Sequence, residues 1–127
     1  MVYGIGIDIL NIRRLEKAFQ RWQQRLLFRL FSPKEIEECK GKKRFYQSLA
    51  GKLAAKEAVS KALGSGLSNG ISWKEIEILK DKAGRPEVAF SAELKHLISR
   101  KGIKDCFISI SHEADYAIAQ AILIKEG

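Results

Sequence analysis

The longest helix that this sequence encodes, from about Phe45 to Leu63, constrains the fold more than any other feature. Its second half lacks proline and glycine, consists of strong helix formers and ends at Gly64, where a left-handed cap is easiest. Small apolar side chains recur there at helical spacing: Ala55, Ala58, Val59 and Ala62. Gly51 interrupts the first half of the helix, which indicates close packing or a kink.

Glu57 and Lys61 lie outside this stripe, four residues apart, so their side chains share a face of the helix. The simplest interpretation is a surface ion pair that contributes only a few tenths of a kcal/mol. The alternative is a ligand site, because the neighbouring alanines let another group come close to the carboxylate and the ammonium. Residues elsewhere in the chain are needed to distinguish the ion pair from the ligand site.

Length and composition indicate one soluble domain. A chain of 127 residues suits a single domain, residues 1–127, that can bury a core without disulfides. It contains no apolar run of 18 residues, and its N-terminus lacks the features of a signal peptide, so we expect a cytoplasmic protein without a membrane span. Cys39 and Cys106 lack metal-ligand spacing and are interpreted as buried hydrophobic residues.

The positive charge of the chain is concentrated in its front half. Residues 11–63 hold 14 Lys and Arg against five Asp and Glu, whereas the remainder holds nine against ten. Such asymmetry predicts an anionic partner, which is a nucleic acid, a phosphorylated ligand or an acidic protein.

Residues 2–10 alternate as a β-strand does. One face carries Tyr3, Ile5, Ile7 and Ile9, and the other carries Gly4, Gly6, Asp8 and Leu10. A carboxylate on the small-residue face is costly to bury without a partner. Asp8 is therefore either an acid that caps the following helix, or a metal ligand or acid–base group.

Several shorter helices are expected before the long one. Asn11 is suited to cap a helix that runs to about Gln24. Its apolar stripe comprises Leu15, Ala18, Phe19 and Trp22. A neighbouring face is almost entirely positive, with Arg14, Lys17, Arg21 and Arg25. A short helix is expected over residues 26–31, and the segment from Ser32 to Glu35 predicts a capping box that starts another.

The back half reads as two hairpins. Residues 76–80 and 87–90 form one, with a turn at 81–86, and residues 106–111 and 116–124 form the other, with a turn from Ser111 to Asp115 that carries His112. Ser91 caps a helix between them, and residues 64–70 suit a flexible loop. Alanines on one face of the last strand leave room for a helix or another subunit. The pattern predicts an α+β fold: a small antiparallel sheet with a helical front half.

The residue types of Asp8, Glu57 and Lys61 suit one kind of chemistry. Two carboxylates, completed by substrate phosphates, are a common way to hold magnesium, and a lysine can neutralise charge on a transferring phosphoryl group. His112, at a strand end, is either a structural hydrogen-bonding group or part of the same site.

Four motifs occur in order along the chain: Gly4-Ile-Gly-Ile-Asp8-Ile, Phe31-Ser-x-x-Glu35, Leu53-Ala-Ala-Lys-Glu57-Ala-x-x-Lys61-Ala and Ser109-Ile-Ser-His112. Together they resemble those of the bacterial holo-acyl-carrier-protein synthases, the small trimeric type of 4'-phosphopantetheinyl transferase. The resemblance implies that fold and a Mg²⁺-dependent transferase that moves the phosphopantetheine arm of coenzyme A to a serine of acyl carrier protein and releases adenosine 3',5'-bisphosphate. It implies neither a nucleic acid nor a membrane as partner.

The resemblance also implies roles for individual residues. Asp8 and Glu57 would bind Mg²⁺, and Lys61 would contact the attacked phosphate. The coenzyme A site would comprise Lys43, Arg44 and Lys52 at the 3'-phosphate and adenine end, together with Ser60, Lys61, Gly64, Arg85, Pro86, Ser111 and His112. The Gly84–Pro86 turn, Ser111 and His112 would come from a neighbouring subunit of a homotrimer. Arg14 and Arg21 would dock the acidic carrier protein.

Three positions depart from the family pattern: Asn11 replaces a common acid, Lys52 a common arginine, and Glu113 a small hydroxyl residue. A lysine at position 52 is a point charge rather than a bidentate fork. The base that activates the carrier serine is Glu57, a metal-bound water acting through Asp8, or the substrate phosphate. Two other interpretations of the chain are a basic nucleic-acid-binding domain without catalysis, and a relative that binds coenzyme A without turning it over.

Overall fold

The computed structural model describes residues 1–64 and 72–127, and the predicted loop at 64–70, apart from Gly64, lies outside these ranges. The strands are β1 (Val2–Asn11), β2 (Ile76–Lys80), β3 (Pro86–Phe90), β4 (Ile103–Glu113) and β5 (Tyr116–Lys125). The helices are α1 (Ile12–Trp22), α2 (Gln24–Leu30), α3 (Pro33–Cys39), α4 (Phe45–Leu63) and α5 (Ala92–Arg100), with a 3-10 turn at Trp73–Glu75. The predicted α+β class is confirmed.

Two antiparallel sheets carry the fold. The larger has the order β1-β5-β4, and the smaller is the β2-β3 hairpin. The two ends of the chain meet in the larger sheet, where the Lys125 N–H donates a backbone hydrogen bond to the Met1 carbonyl oxygen. Helix α4 lies across one face of the larger sheet and also contacts β2. It is therefore the central element, as its sequence predicts.

The contact between β1 and α4 has no side chain on the strand. A Cβ added to Gly6 would overlap the carbonyl oxygen of Ala58, and one added to Gly4 would overlap that of Ala62. The glycine face of β1 and the alanine stripe of α4 therefore fit each other backbone to backbone. The alanines of β5, of which Ala117, Ala119 and Ala121 are buried, face the same helix. Of the two occupants predicted for this alanine face, a helix or another subunit, the helix is confirmed, because α4 of the same chain covers it.

The opposite face of the larger sheet is apolar and uncovered in the single chain. Ile5, Ile7 and Ile9 are each about 60% exposed, and Phe107 on β4 is equally exposed. Ile5 is paired across the sheet with Ile122, which is in turn paired with Phe107. Three strands thus contribute to one hydrophobic surface.

Helix α4 is buried on nearly all sides rather than along one stripe. Every residue from Leu49 to Leu63 is buried except Glu57 and Lys61. At Gly51 an added Cβ would lie 3.0 Å from Ile110 Cγ2 and 3.0 Å from His112 Nε2, so the predicted close packing is confirmed. Gly64 ends the helix at φ 86°, in the left-handed conformation expected of it.

The helical front half largely follows its sequence signals. Asn11 Oδ1 accepts from Arg14 N–H, and Ser32 and Glu35 form the predicted capping box. The first helix ends at Trp22 rather than Gln24, because Gln23 has φ 50°. Trp22 is 49% exposed, so its place in a buried stripe was predicted wrongly: it stands at the helix end, and the Arg21 guanidinium lies over its ring.

The second large hairpin is longer than predicted. Its turn is only Ala114-Asp115, with Ala114 at φ 52°, and Ser111 and His112 belong to β4. Because side chains alternate along a strand, His112 faces α4 whereas Ser111 faces the exposed side of the sheet.

Candidate active site

Asp8 and Lys61 meet where β1 passes α4. The Lys61 ammonium lies 3.0 Å from Asp8 Oδ1 and also donates to the carbonyl oxygen of Ile7 at 3.1 Å. The Asp8 side chain is only 15% exposed, whereas that of Lys61 is 51% exposed. Among the described residues, the ion-pair partner of Lys61 is Asp8 rather than Glu57. The predicted surface ion pair between Glu57 and Lys61 therefore does not form. The N-cap of α1 is Asn11 rather than Asp8.

Glu57 completes this cluster. Burial raises the pKa of its carboxyl, the negative charge of Asp8 raises it further, and the positive charge of Lys61 opposes the shift. The two carboxylates are thus close enough to repel each other. Because α4 is otherwise buried here, the accessible surface of the helix consists of one carboxylate and one ammonium beside a second carboxylate.

The donor set of this cluster fits a hard divalent cation. Within residues 1–64 and 72–127, no group of three or more His, Cys, Asp and Glu residues could enclose a metal. Magnesium does not need such a cage, because one or two carboxylates, water and substrate phosphates usually complete its shell. Asp8 and Glu57 supply that minimum, and the half-exposed Lys61 leaves the cluster open to a phosphorylated ligand.

A second cluster lies on the other side of α4, around a cavity of about 200 Å³ between this helix and the β2-β3 hairpin. Lys52 forms part of its wall, and its ammonium lies 2.6 Å from Glu38 Oε1 and 2.6 Å from the carbonyl oxygen of Ile78. Although burial opposes the shift, the bonds from Lys52 and from the Lys80 backbone N–H lower the pKa of Glu38. The cavity is also lined by Lys42, Lys80, Gly84, Pro86 and His112.

Lys43 and Arg44 border this second cluster. Both line a shallow depression next to the cavity, together with Lys42, Gln47 and His112. His112 Nε2 lies 3.0 Å from the Gln47 carbonyl oxygen, so this nitrogen carries the proton and donates it. The imidazole is held against α4 and lines both the depression and the cavity.

Some residues expected in the coenzyme site lie elsewhere in the single chain. Arg85 forms an ion pair with Asp81 at 3.4 Å and lines a separate groove beside Phe107 and Ser109. Ser60 is fully buried, and its hydroxyl finds no hydrogen-bond partner in the described part of the chain. Gly84, Pro86 and His112 line the same cavity as Lys52 of the same chain. From the resemblance, they were expected to come from a neighbouring subunit instead.

The two clusters lie on opposite sides of α4. Lys52 and Lys61 are nine residues apart, which corresponds to about 180° around a helix and about 13 Å along it. Their contacts agree with this, because Lys61 reaches β1 and Lys52 reaches β2. The two ammonium groups therefore face different elements of the fold.

Arg14 and Arg21 are exposed on α1. Neither guanidinium forms an ion pair with any residue that the structure describes, and the neighbouring Arg13 pairs with Asp115 at 3.3 Å. A groove at the α1–α2 junction continues this positive surface with Trp22, Arg25, Leu26 and Arg29.

Sequence reasoning missed one buried ion pair. Glu35 and Lys56 are 2.7 Å apart, and both side chains are completely buried. The Lys56 ammonium also donates to the carbonyl oxygens of Leu30 and Trp73, and the Glu35 carboxylate accepts from the backbone of Ser32 and Ile78. The pair therefore joins α2, α3, α4 and β2. Glu35 was recognised as a capping residue, but no local pattern indicates its second partner.

Comparisons with known proteins agree with the geometry. The profile of the 4'-phosphopantetheinyl transferase superfamily matches residues 4–121. The chain is 44% identical over 123 residues to the holo-[acyl-carrier-protein] synthase of Geobacter sp. (strain M21), covering 97% of this chain and 98% of the relative. Within the described ranges no helix is both long and apolar enough to cross a bilayer.

Two solved structures are similar to this fold over nearly its whole length. The holo-[acyl-carrier-protein] synthase of Neisseria meningitidis superposes with a TM-score of 0.92 at 32% identity and covers 98% of this chain and 100% of its own. That of Helicobacter pylori, in complex with coenzyme A, gives a TM-score of 0.84 at 39% identity and covers 94% and 99%.

Proposed function

This chain belongs to the 4'-phosphopantetheinyl transferase superfamily, among the holo-[acyl-carrier-protein] synthases, and from that premise we propose how its own residues carry out the reaction. The activity is the transfer of the 4'-phosphopantetheine arm of coenzyme A to apo acyl carrier protein. The observation that carries the assignment is the pair of accessible groups, Glu57 and Lys61, on a helix that is otherwise buried and faces Asp8.

Asp8 and Glu57 hold Mg²⁺ in this proposal. When bound, the cation neutralises charge on the diphosphate of coenzyme A and on the departing nucleotide. The mutual repulsion of the two carboxylates supports the assignment, because a bound cation would relieve it and Lys61 offsets it only in part. Asp8 is held by β1 and Glu57 by α4, so the backbone contact of Gly6 with Ala58 sets their separation.

Lys61 acts on the attacked phosphate. Its ammonium is half exposed, and a lysine has rotatable bonds enough to turn from Asp8 towards a bound phosphoryl oxygen. There it stabilises negative charge that increases in the transition state. The carrier serine must lose its proton during attack, because its own pKa is high. The Glu57 carboxylate lies on the accessible face of α4, which keeps it among the candidate bases.

The coenzyme site is built between subunits of a homotrimer. One coenzyme A molecule carries a diphosphate and a distant 3'-phosphate, but the two clusters of one chain face opposite sides of α4. A neighbouring subunit can present its Lys43, Arg44, Lys52 and His112 cluster, with Gly84 and Pro86, to the Asp8–Glu57–Lys61 cluster of the first. The exposed apolar face of β1, β5 and β4 supports such an assembly, because isolated soluble chains seldom leave so continuous a hydrophobic surface uncovered.

In this arrangement Arg85 and Ser111 serve the neighbour's site. Arg85 lines a groove beside the exposed strand β4, and Ser111 points from the same sheet face. Gly64 follows Lys61 by one turn at the end of α4 and lets the backbone approach the pantetheine arm. Ser60 also lies near this end of α4, but it is buried in the core and does not line the surface of the site.

Acyl carrier protein docks on α1 through Arg14 and Arg21. Both guanidinium groups are exposed and lack ion pairs within the described chain, so they are available to an acidic helix. The positive charge of residues 11–63 steers such a partner towards the site.

Intact-mass spectrometry tests the function directly. Incubation of apo carrier protein with coenzyme A, Mg²⁺ and the protein should add one phosphopantetheine to the carrier, and chelation should abolish the gain. A salt-sensitive shift of nucleic acid, with no change in carrier mass, would support the non-catalytic alternative instead.

A further inference from the structure

Strand β2 has a partner strand on one edge only. Its five residues pair with those of β3, from Ile76 opposite Phe90 to Lys80 opposite Pro86. Within the described part of the chain no strand adjoins the other edge, which we call the outer edge of β2. The backbone groups of every second residue point away from the partner strand, so the outer edge presents N–H and C=O groups that need other partners.

Side chains occupy this outer edge in place of a strand. The Ile78 N–H donates to Glu35 Oε2 at 2.8 Å, and the Ile78 carbonyl oxygen accepts from the Lys52 ammonium at 2.6 Å. Two residues further on, the Lys80 N–H lies 3.2 and 3.1 Å from the two carboxylate oxygens of Glu38. Ile78 and Lys80 are thus held at the two-residue spacing at which a neighbouring strand would bond.

The geometry of helix α3 suits this contact. Glu35 and Glu38 are three residues apart on one face of the helix, where Cβ atoms lie about 5–6 Å from each other. Two residues of a strand span roughly 7 Å, so one helix face can offer a carboxylate to each outward N–H. Lys56 pairs with Glu35 at 2.7 Å, and Lys52 pairs with Glu38 at 2.6 Å. Helix α4 therefore fixes the two carboxylates, and the carboxylates fix β2.

Glu38 holds the last residue before the turn between β2 and β3. Lys80 ends β2, and the turn is closed by the Asp81 N–H, which donates to the Arg85 carbonyl oxygen at 2.8 Å. Asp81 Oδ1 also accepts from the backbone N–H groups of Ala83 and Arg85, at 2.8 and 2.9 Å. The turn is therefore bonded within itself, and its direction depends on how Lys80 is held.

The turn supplies Gly84 to the wall of the cavity and leads into Pro86, which lines it as well. We propose that Glu38 is a positioning residue for coenzyme A: by binding the Lys80 N–H, it holds the Gly84–Pro86 wall in place against α4. This role rests on the proposed function, in which Gly84 and Pro86 belong to the coenzyme site. Glu38 acts through the turn and not on the reacting atoms, so its loss should weaken binding of the coenzyme rather than slow the transfer.

Two substitutions separate the hydrogen bond of Glu38 from its charge. Glu38→Ala removes both, whereas Glu38→Gln removes the charge and keeps an acceptor oxygen for the Lys80 N–H. Glu38→Ala should raise KM for coenzyme A roughly tenfold, as expected for loss of one hydrogen bond to a charged group, with kcat and KM for the carrier protein nearly unchanged. Glu38→Gln should raise it less than about threefold. The control Glu37→Ala removes an exposed carboxylate from the same helix and should change neither constant.

Amide hydrogen exchange tests the contact itself, without any substrate. In the wild type the Lys80 amide should exchange at least about tenfold more slowly than the amide of Lys82 in the exposed turn. Glu38→Ala should remove this difference while the amides of α4 stay protected, and Glu38→Gln should keep part of it. Equal exchange of the Lys80 and Lys82 amides in the wild type would overturn the inference without recourse to any variant.

The kinetic outcomes distinguish this role from the proposed function. Equal increases of KM in Glu38→Ala and Glu38→Gln would show that only the charge matters, and an unchanged KM in Glu38→Ala would show that the coenzyme does not depend on the contact. Either result overturns the inference and leaves the transferase function standing. Absence of phosphopantetheine transfer by the wild type would contradict the function and, with it, the role towards coenzyme A, whatever the amide exchange shows.

Discussion

Lys61 lies 3.0 Å from Asp8, on the neighbouring strand, although Glu57 is one turn away on its own helix. Its second bond, to the Ile7 carbonyl oxygen, holds the ammonium against β1. The ammonium thus stands beside one of the two proposed metal ligands, where a cation would also bind. Glu57 and Lys61 are therefore expected to have separate tasks.

Replacing Lys61 should impair turnover far more than folding. Lys61→Ala should lower kcat at least about 100-fold, which is typical for loss of one group that stabilises transition-state charge. The unfolding free energy should fall by less than about 1 kcal/mol, because the Lys61 ammonium is half exposed and solvent screens its pair with Asp8. Steady-state kinetics and urea unfolding measure the two effects, with Lys74→Ala as a control. A loss of stability in proportion to the loss of activity would restore a purely structural role.

Glu57→Gln should abolish Mg²⁺-dependent transfer while making the metal-free protein more stable at neutral pH. The pKa of Glu57 is raised in the folded state, mainly by burial, so the folded protein binds this proton more tightly than the unfolded chain. Stability should therefore fall as pH rises from the ordinary glutamate value through the raised value. Thermal melts in chelator across this range should show that slope in wild type and a smaller slope in the variant. Wild-type transfer rates by Glu57→Gln would contradict the metal site.

Breaking the Glu35–Lys56 pair should destabilise the protein strongly. Lys56→Met leaves the buried Glu35 carboxylate without its counter-ion and two carbonyl oxygens without their donor, and the expected loss is about 3–5 kcal/mol. Urea unfolding measures it. The exposed pair of Arg13 with Asp115 provides the control, since Arg13→Gln should cost less than about 1 kcal/mol. Similar effects from the two substitutions would show that the buried pair is not structural.

Gly6→Ala should be among the most damaging single-methyl substitutions in the chain. The added Cβ would overlap the Ala58 carbonyl oxygen, so β1 and α4 must separate. Overpacking of this kind costs about 1–3 kcal/mol, and here it also moves Asp8 away from Glu57. Magnesium affinity, measured by calorimetry on the folded variant, should fall with stability. Gly127→Ala adds the same methyl group in open space and should change neither property.

Ile7→Asp should dissociate the proposed homotrimer. The substitution places a charge at the centre of the exposed sheet face, where the side chain is 61% exposed in the single chain and would be buried in an assembly. Light scattering after size-exclusion chromatography should show a monomer with little transferase activity. The control Leu97→Asp changes an exposed residue of α5 and should keep the oligomer. A monomeric wild type that is fully active would contradict the intersubunit site.

Much of the fold was predictable because its signals are local. Helix α4, the Ser32–Glu35 capping box and both hairpins follow from spacing, caps and turn residues within a few positions. The exposure of Trp22 was not predictable, because the helix stops before Gln23, a non-glycine residue with positive φ. Likewise, the alternation of residues along β1 does not specify which of its two faces packs against α4.

The site was only partly visible in the sequence for the same reason. Asp8, Glu57 and Lys61 could be selected by residue type and by resemblance to known motifs, but their pairing required the packing of β1 on α4. Glu38 and Lys80 escaped notice because each lies in an ordinary polar pattern, 42 residues apart, and acts through contacts between elements. Long-range electrostatic partners of this kind leave no periodic trace.

The glycines of β1 also affect how the site behaves when temperature changes. Side chains exchange rotamers within nanoseconds, whereas two backbones in direct contact have few alternative arrangements to visit. The gap between Asp8 and Glu57 is set at Gly4 and Gly6 by main-chain atoms meeting main-chain atoms. We therefore expect the spacing of the two proposed metal ligands to change little with temperature until the whole molecule melts.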